Sequence, residues 1–144
     1  MNVKELIERY ESGERDFSRV DLQEAILEGL DLSGADFSEA LLDGANLRRA
    51  KLNHVNLSSA DLNGADLSQA DLTGADLRDA ILDGAVLEGT ILDSADLSQA
   101  DLRVANLVQA DLVKAELQQA DLSGANLEGS DLSGADLALP SARA

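Results

Sequence analysis

From Ala60 to Leu77 the chain reads ADLNGADLSQADLTGADL, a five-residue unit repeated in tandem. Ala stands two before each Leu, Asp one before it, and two small or polar residues follow. The register runs from Phe17 to Leu137 without an insertion or deletion. A period of five fits neither the 3.6 of an α-helix nor the 2 of a flat strand. The chain must therefore turn once in every unit. If each unit forms one side and bends by about a right angle, four units close a square coil. Residues two apart on an extended segment share a side, so Ala and Leu point inward together and the residue between them points out. Gly, Asn, Asp and Ser crowd the two positions after the Leu, as a turn requires.

Composition sharpens this picture. The 144 residues read as one domain. Aromatic residues are Phe17, Phe37 and Tyr10 only. An ordinary globular core uses more large side chains. A thin core of stacked Leu and Ala is expected instead. The single proline, Pro140, lies after the repeats, which suits a fold that uses nearly every backbone donor. There is no Cys, so disulfides, thiol chemistry and Cys-based metal sites are excluded. The N-terminus lacks the apolar run of a signal peptide. No segment approaches the roughly 18 apolar residues of a membrane span. The expectation is a soluble cytoplasmic protein. Its net charge of −17 repels nucleic acid and anionic membranes and leaves basic proteins as partners.

Residues 2–12 are predicted to form a helix. Val3, Leu6, Ile7 and Tyr10 make one apolar face, Asn2 and Glu5 form a capping box, and Gly13 is a C-terminal stop. So short a helix is marginal alone and must pack on the end of the coil. The expected organisation is a cap over 1–14, 25 units over 15–139, and a tail over 140–144. The unit's centre is Leu except at Phe17 and Phe37. Phe17 and Phe37, twenty apart, are predicted to stack near the cap, with Leu30 packed under the helix.

The sequence resembles the pentapeptide-repeat family, whose pattern is A(D/N)LXX. It is especially similar to the cyanobacterial type, which opens with a short helix and a junction like Gly13-Glu14-Arg15-Asp16-Phe17 here. The resemblance implies an all-β fold, a right-handed quadrilateral parallel β-helix with four units per coil. Twenty-five units then make about six coils, a rod about 30 Å long at the usual strand spacing.

In that register the outward residues form ladders. One carries Asp16, Asp36, Asn56, Asp76, Asp96, Glu116 and Asp136. Carboxylates about 5 Å apart in water repel by only about 1 kcal/mol per pair, which the rod can bear. The candidate sites lie where the pattern breaks. Ile81, Val86 and Ile91 replace the outward Asp in three consecutive units. They fall on three adjacent faces and read either as β-branched residues tolerated on strands or as a local apolar contact for a partner. Val104, Val108 and Val113 also point outward later in the rod. Arg48, Arg49, Lys51 and His54 form a basic cluster, read as a solvated counter-patch within an acidic surface. At the far end Leu122, Leu127, Leu132 and Leu137, with Leu139 and Pro140, are candidates for end-to-end contact in a weak homodimer.

Nothing in the sequence assembles a catalytic group. There is one His, and the serines point outward with no base beside them. Carboxylates recur in one repeated environment, whereas acid–base work needs two in different ones. DLSGAD has some of the look of a calcium loop, yet its ligand spacing and the twelfth-position Glu do not fit. No cofactor or metal site is expected. The leading reading is a non-catalytic structural or protein-interaction module, a rigid acidic rod for an unknown, basic protein partner. It involves no direct nucleic-acid or membrane contact. The alternative comes from the resemblance: quinolone-resistance members of the family are acidic rods that imitate duplex DNA and bind DNA gyrase. About 17 charges over about 30 Å is roughly one per 1.8 Å, against about one per 1.7 Å for the duplex. The protruding loops that some of those proteins carry have no counterpart here.

Overall fold

The computed structural model describes residues 1–137. Leu139, Pro140 and the tail of 140–144 lie outside the described residues. From Asp16 onward the chain winds as a parallel β-solenoid. Every bridge joins residues twenty apart, from Asp16 with Asp36 to Glu116 with Asp136. Four units therefore make one turn of the coil.

The unit around Leu62 shows why the pattern repeats without error. Asp61 N–H donates to Ala40 O of the preceding coil at 2.9 Å. Leu62 and Gly64 N–H donate to Ile81 O and Asp83 O of the next, at 2.7 and 3.0 Å. Ala65 N–H closes the turn on Leu62 O at 2.9 Å. The second residue after each centre has positive φ, from Arg19 at 62° to Gly134 at 69°. With the residue before it at negative φ and the bond closed across four residues, each corner has the signs of a type II turn. Glycine meets that demand without strain, yet fourteen non-glycine residues also adopt the conformation.

Inside, the Leu ladders from Leu22 to Leu122 and the Ala ladders beside them are almost wholly excluded from water. Thr90, in an Ala position, is fully buried and donates its hydroxyl to Leu67 O at 2.7 Å. Burial of a hydroxyl is tolerable because of that bond.

Helix α1 (Val3–Glu11) closes the N-terminal end. The Asn2 side chain accepts the Glu5 N–H at 2.8 Å. Gly13 N–H bonds to Tyr10 O and Glu14 N–H to Arg9 O, the reciprocal pair of a Schellman stop, with Gly13 at φ 104°. Leu6 is buried in the coil, and Leu30 shares a groove with Ile7 and Tyr10. Tyr10 donates its hydroxyl to Ser33 O at 2.8 Å, and the Met1 ammonium reaches Asp21 O at 3.2 Å. Two carbonyls of the first coil that lack a coil above them are thus satisfied by the cap. Phe17 and Phe37 stack beneath it, ring centroids 5.5 Å apart.

Candidate protein-interaction surfaces

Where described coils stack on both sides, one N–H per unit has no backbone partner, that of the residue following the central Leu. The outward Asp or Asn supplies the acceptor. Asp61 Oδ1 takes the Asn63 N–H at 3.0 Å, and Asn56 Oδ1 takes the Ser58 N–H at 2.9 Å. The same bond recurs from Asp16 to Asp131 wherever Asp or Asn holds this position. The outer carboxylates are thus part of the backbone's own hydrogen bonding, a role hidden from a reading of which way they point. Their titration reflects it. Asp16 and Asp131 are held below the ordinary carboxylate range, first by the hydroxyls of Ser18 and Ser133, then by the N–H groups of the same residues. Glu116 moves the other way. The charge of Asp96, its ladder neighbour, raises it, with a hydrogen bond to Asp96 and burial adding to that.

Seven units lack the acceptor: those of Ile26, Leu41, Lys51, Ile81, Val86, Ile91 and Glu116. In each, the residue two positions on is acidic or an amide: Glu28, Asp43, Asn53, Asp83, Glu88, Asp93 and Gln118. The polar group moves across the Leu and leaves an apolar or long side chain on the open side of the coil.

The bridges sort these residues by side. Asp21, Leu41, Asp61, Ile81, Asp101 and Asp121 form the second side, counted from the Asp16 ladder. Ile26 and Val86 belong to the third side, Lys51 and Ile91 to the fourth. Ile81, Val86 and Ile91 thus lie on three adjacent sides, as the register predicts. With four units per coil, Ile81 and Ile91 face opposite ways. Ile81 has Asp61 and Asp101 as its ladder neighbours, while Ile91 has Asp71 and Asp111. Ile81 and Ile91 are exposed and Val86 is half-buried. Val108 and Val113 are half-buried too, whereas Val104 is 61% exposed.

Two further exposed apolar residues emerge, Ile26 at 72% and Leu41 at 37%. Both stand one before a central Leu, so the register alone marks them as outward. Their distance in sequence from Ile81 hid the kinship of Leu41 with it.

The basic cluster does not pool its charge. Arg48 pairs with Asp66 at 3.1 Å and Arg49 with Glu28 at 3.5 Å. Lys51 lies in its ladder between Asp31 and Asp71. The His54 ring covers Gly74 so closely that a Cβ there would meet Nδ1 at 2.5 Å. At the far end Leu122 is buried, Leu127 and Leu132 are half-buried, and Leu137 is exposed. Among the described residues no group of His, Asp or Glu is arranged to hold a metal ion. No helix among them is long and apolar enough to cross a membrane.

Comparison with known proteins agrees with this geometry. The family model for pentapeptide repeats matches over residues 16–52, 31–69, 40–79, 70–107 and 104–137. A pentapeptide repeat protein from the cyanobacterium Cyanothece 51142 is 30% identical, with a TM-score of 0.54 over 92% of this chain and 93% of that one. A pentapeptide repeat protein from the thylakoid lumen of Arabidopsis thaliana is 35% identical, with a TM-score of 0.53 over 77% of this chain and 67% of that one. QnrB1, a plasmid-mediated fluoroquinolone resistance protein, is similar in fold at 21% identity, with a TM-score of 0.54 over 84% of this chain and 73% of that one. No curated relative matches the sequence. With the twenty-residue bridge register, the A(D/N)LXX units and the family model spanning 16–137, the chain belongs to the pentapeptide-repeat family.

Proposed function

We propose that this chain is a non-catalytic protein-interaction module, a right-handed quadrilateral rod of about six coils that presents side chains on four faces to a basic protein partner. The observation that carries the reading is the ladder register. Outward residues stand twenty apart in sequence and one strand spacing apart in space, about 4.8 Å. Such spacing offers a partner a fixed pattern of charges and apolar knobs, while the interior is a dry core with no chemistry in it. The cap of 1–14, the rod of 15–139 and the tail of 140–144 are its proposed parts. One solved relative comes from a thylakoid lumen, so the fold carries no cellular address of its own. A pull-down comparing wild type with a variant in which Ile81, Val86 and Ile91 are all changed to Asp tests the first candidate patch. Loss of a specific partner supports it, and retention of every partner removes it.

A second reading, a duplex-DNA mimic that binds gyrase or another basic nucleic-acid-binding protein, is favoured by the charge. A net −17 on a rod about 30 Å long approaches the linear charge density of duplex DNA. The fluoroquinolone resistance protein lends this reading a shared fold. A gyrase supercoiling reaction over a range of salt decides it, since absence of inhibition at micromolar protein in low salt ends the idea. The end around Leu122, Leu127, Leu132 and Leu137 is proposed to pair weakly with a second copy. Light scattering at high concentration checks this, and a monomeric mass there excludes it.

A further inference from the structure

Leu41 and Ile81 occupy equivalent places two coils apart on the second side, with Asp61 between them. Each is set in the same arrangement of carboxylates. Leu41 has Asp21 and Asp61 as ladder neighbours and Glu39 and Asp43 two residues away in the chain. Ile81 has Asp61 and Asp101 in the ladder and Asp79 and Asp83 two residues away. Among the described residues no other exposed apolar residue has four acidic neighbours in these places. Ile91 has three, with Gly89 in the fourth, and Ile26 lies on the rim of the first coil. Two arginines bound the side, Arg19 on Glu39 and Arg103 on Asp101 and Asp83. Among the described residues none forms an ion pair with Asp21, Asp43 or Asp61. Asp43 Oδ1 is shielded from water and accepts no hydrogen bond.

We propose that this side is a docking face for a basic amphipathic helix of a protein partner, lying along the rod. The inference rests on the interaction-module reading and names the partner's chemistry. Two coils separate the apolar knobs by about 9.6 Å. Helix positions i and i+7 lie about 10.5 Å apart on one face. Strand positions on one face fall at about 6.6 or 13 Å, and neither distance matches the knob spacing. Apolar side chains at i and i+7 of the helix meet Leu41 and Ile81. Lys or Arg at i+3 or i+4 then falls on Asp61, and basic residues on the flanks reach Asp43 and Asp79. Apolar contact sets register and the carboxylates set sign, so the face rejects acidic or uniformly apolar helices.

The probe is a synthetic amphipathic helix with Leu at two positions seven apart and Lys at the two positions midway. Its control has the same composition with one Leu moved to the opposite face. Anisotropy titration with the full chain is expected to show saturable binding of the probe, weakened by added salt, and at least about tenfold weaker binding of the control. Changing Leu41 and Ile81 together to Ser is expected to weaken the probe by about tenfold. Both residues are exposed, so the fold is spared. Asp61→Asn is expected to weaken it several-fold. Asn still accepts the cap hydrogen bond, as Asn56 and Asn106 do, so only charge is lost. Ile91→Ser, on the opposite side, is expected to leave binding unchanged. Equal binding of probe and control, no change on replacing Leu41 and Ile81, or an equal loss with Ile91→Ser overturns the docking face. A specific partner captured by wild type and still held by the Leu41 and Ile81 double variant also overturns it, while leaving the interaction-module reading standing.

Discussion

Asp111 Oδ1 accepts the backbone N–H of Val113 at 3.0 Å. No backbone carbonyl of a neighbouring coil is in place for that donor, so the side chain is its partner. Asp111→Ala removes the acceptor and is expected to cost about 1 kcal/mol, the usual net value of such a bond. Asp111→Asn keeps the acceptor and is expected to stay close to wild type. Urea midpoints of the two variants check this. An equal loss in both assigns the Asp to charge instead of capping.

Val104 is a β-branched residue at φ 51°, the left-handed region that such side chains avoid. It is 61% exposed, so little burial repays the strain. A left-handed L-residue costs about 1–2 kcal/mol. Val104→Gly is expected to raise the thermal midpoint, and Val104→Asn to do so by less. The valine also leans over Gly124, where an added Cβ would meet Val104 Cγ1 at 3.0 Å. Gly124→Ala is therefore expected to be more damaging in wild type than in the Val104→Gly background. A double-mutant cycle on the thermal midpoints measures that coupling.

The period of five made the inward Ala and Leu legible, while the resemblance to the pentapeptide-repeat family implied four units per coil, which the bridges twenty apart show. The Asn2 cap on the Glu5 N–H and the Gly13 stop were legible as local backbone needs, the first met by a side chain and the second by a residue free to take positive φ. The cap bond of Asp111 was not. Its donor lies two residues away, and only the hydrogen bonding of a whole coil shows that this N–H lacks a carbonyl. The kinship of Leu41 and Ile81 follows from the twenty-residue register but is masked by their separation in sequence. Proximity in sequence groups Ile81 with Val86 and Ile91, whereas the coil groups it with residues twenty and forty away. The Arg48–His54 run is likewise compact in sequence, yet its charge is not pooled, because Arg48 and Arg49 each pair with an acid from another unit.

Glu116 is repelled by Asp96, and its carboxyl titrates above its usual 4.5. A raised carboxyl costs stability while ionised, and that cost is relieved as pH falls through the raised value. Glu116→Gln is therefore expected to raise the thermal midpoint at pH 7 and to match wild type below about pH 4. Asp16, Asp31 and Asp131 have the opposite sign. Their lowered values add stability above the unfolded 3.8, which is lost as pH falls through the folded values. Wild type should thus gain slightly on mild acidification and then lose stability below about pH 4. Thermal melts of both proteins from pH 7 to 2 check the two signs, and a Glu116→Gln midpoint at or below wild type at pH 7 refutes the first.

The core itself is graded along the rod. Leu72 is fully excluded from water with coils on both sides, whereas Leu132 near the last described coil is only half-buried. In a solenoid each coil contacts only its neighbours, so stability is a sum of coils and interfaces. Leu72→Ala removes packing on both sides and is expected to cost about 3 kcal/mol, within the range for a buried Leu. Leu132→Ala opens less volume and is expected to cost less than half as much. Leu72→Lys, an unpaired charge among stacked leucines, is expected to prevent folding of the central coils. Denaturation midpoints of the two Ala variants and far-UV spectra of the Lys variant provide the measurement. Equal costs at Leu72 and Leu132 would mean that Leu132 is covered in solution as fully as Leu72.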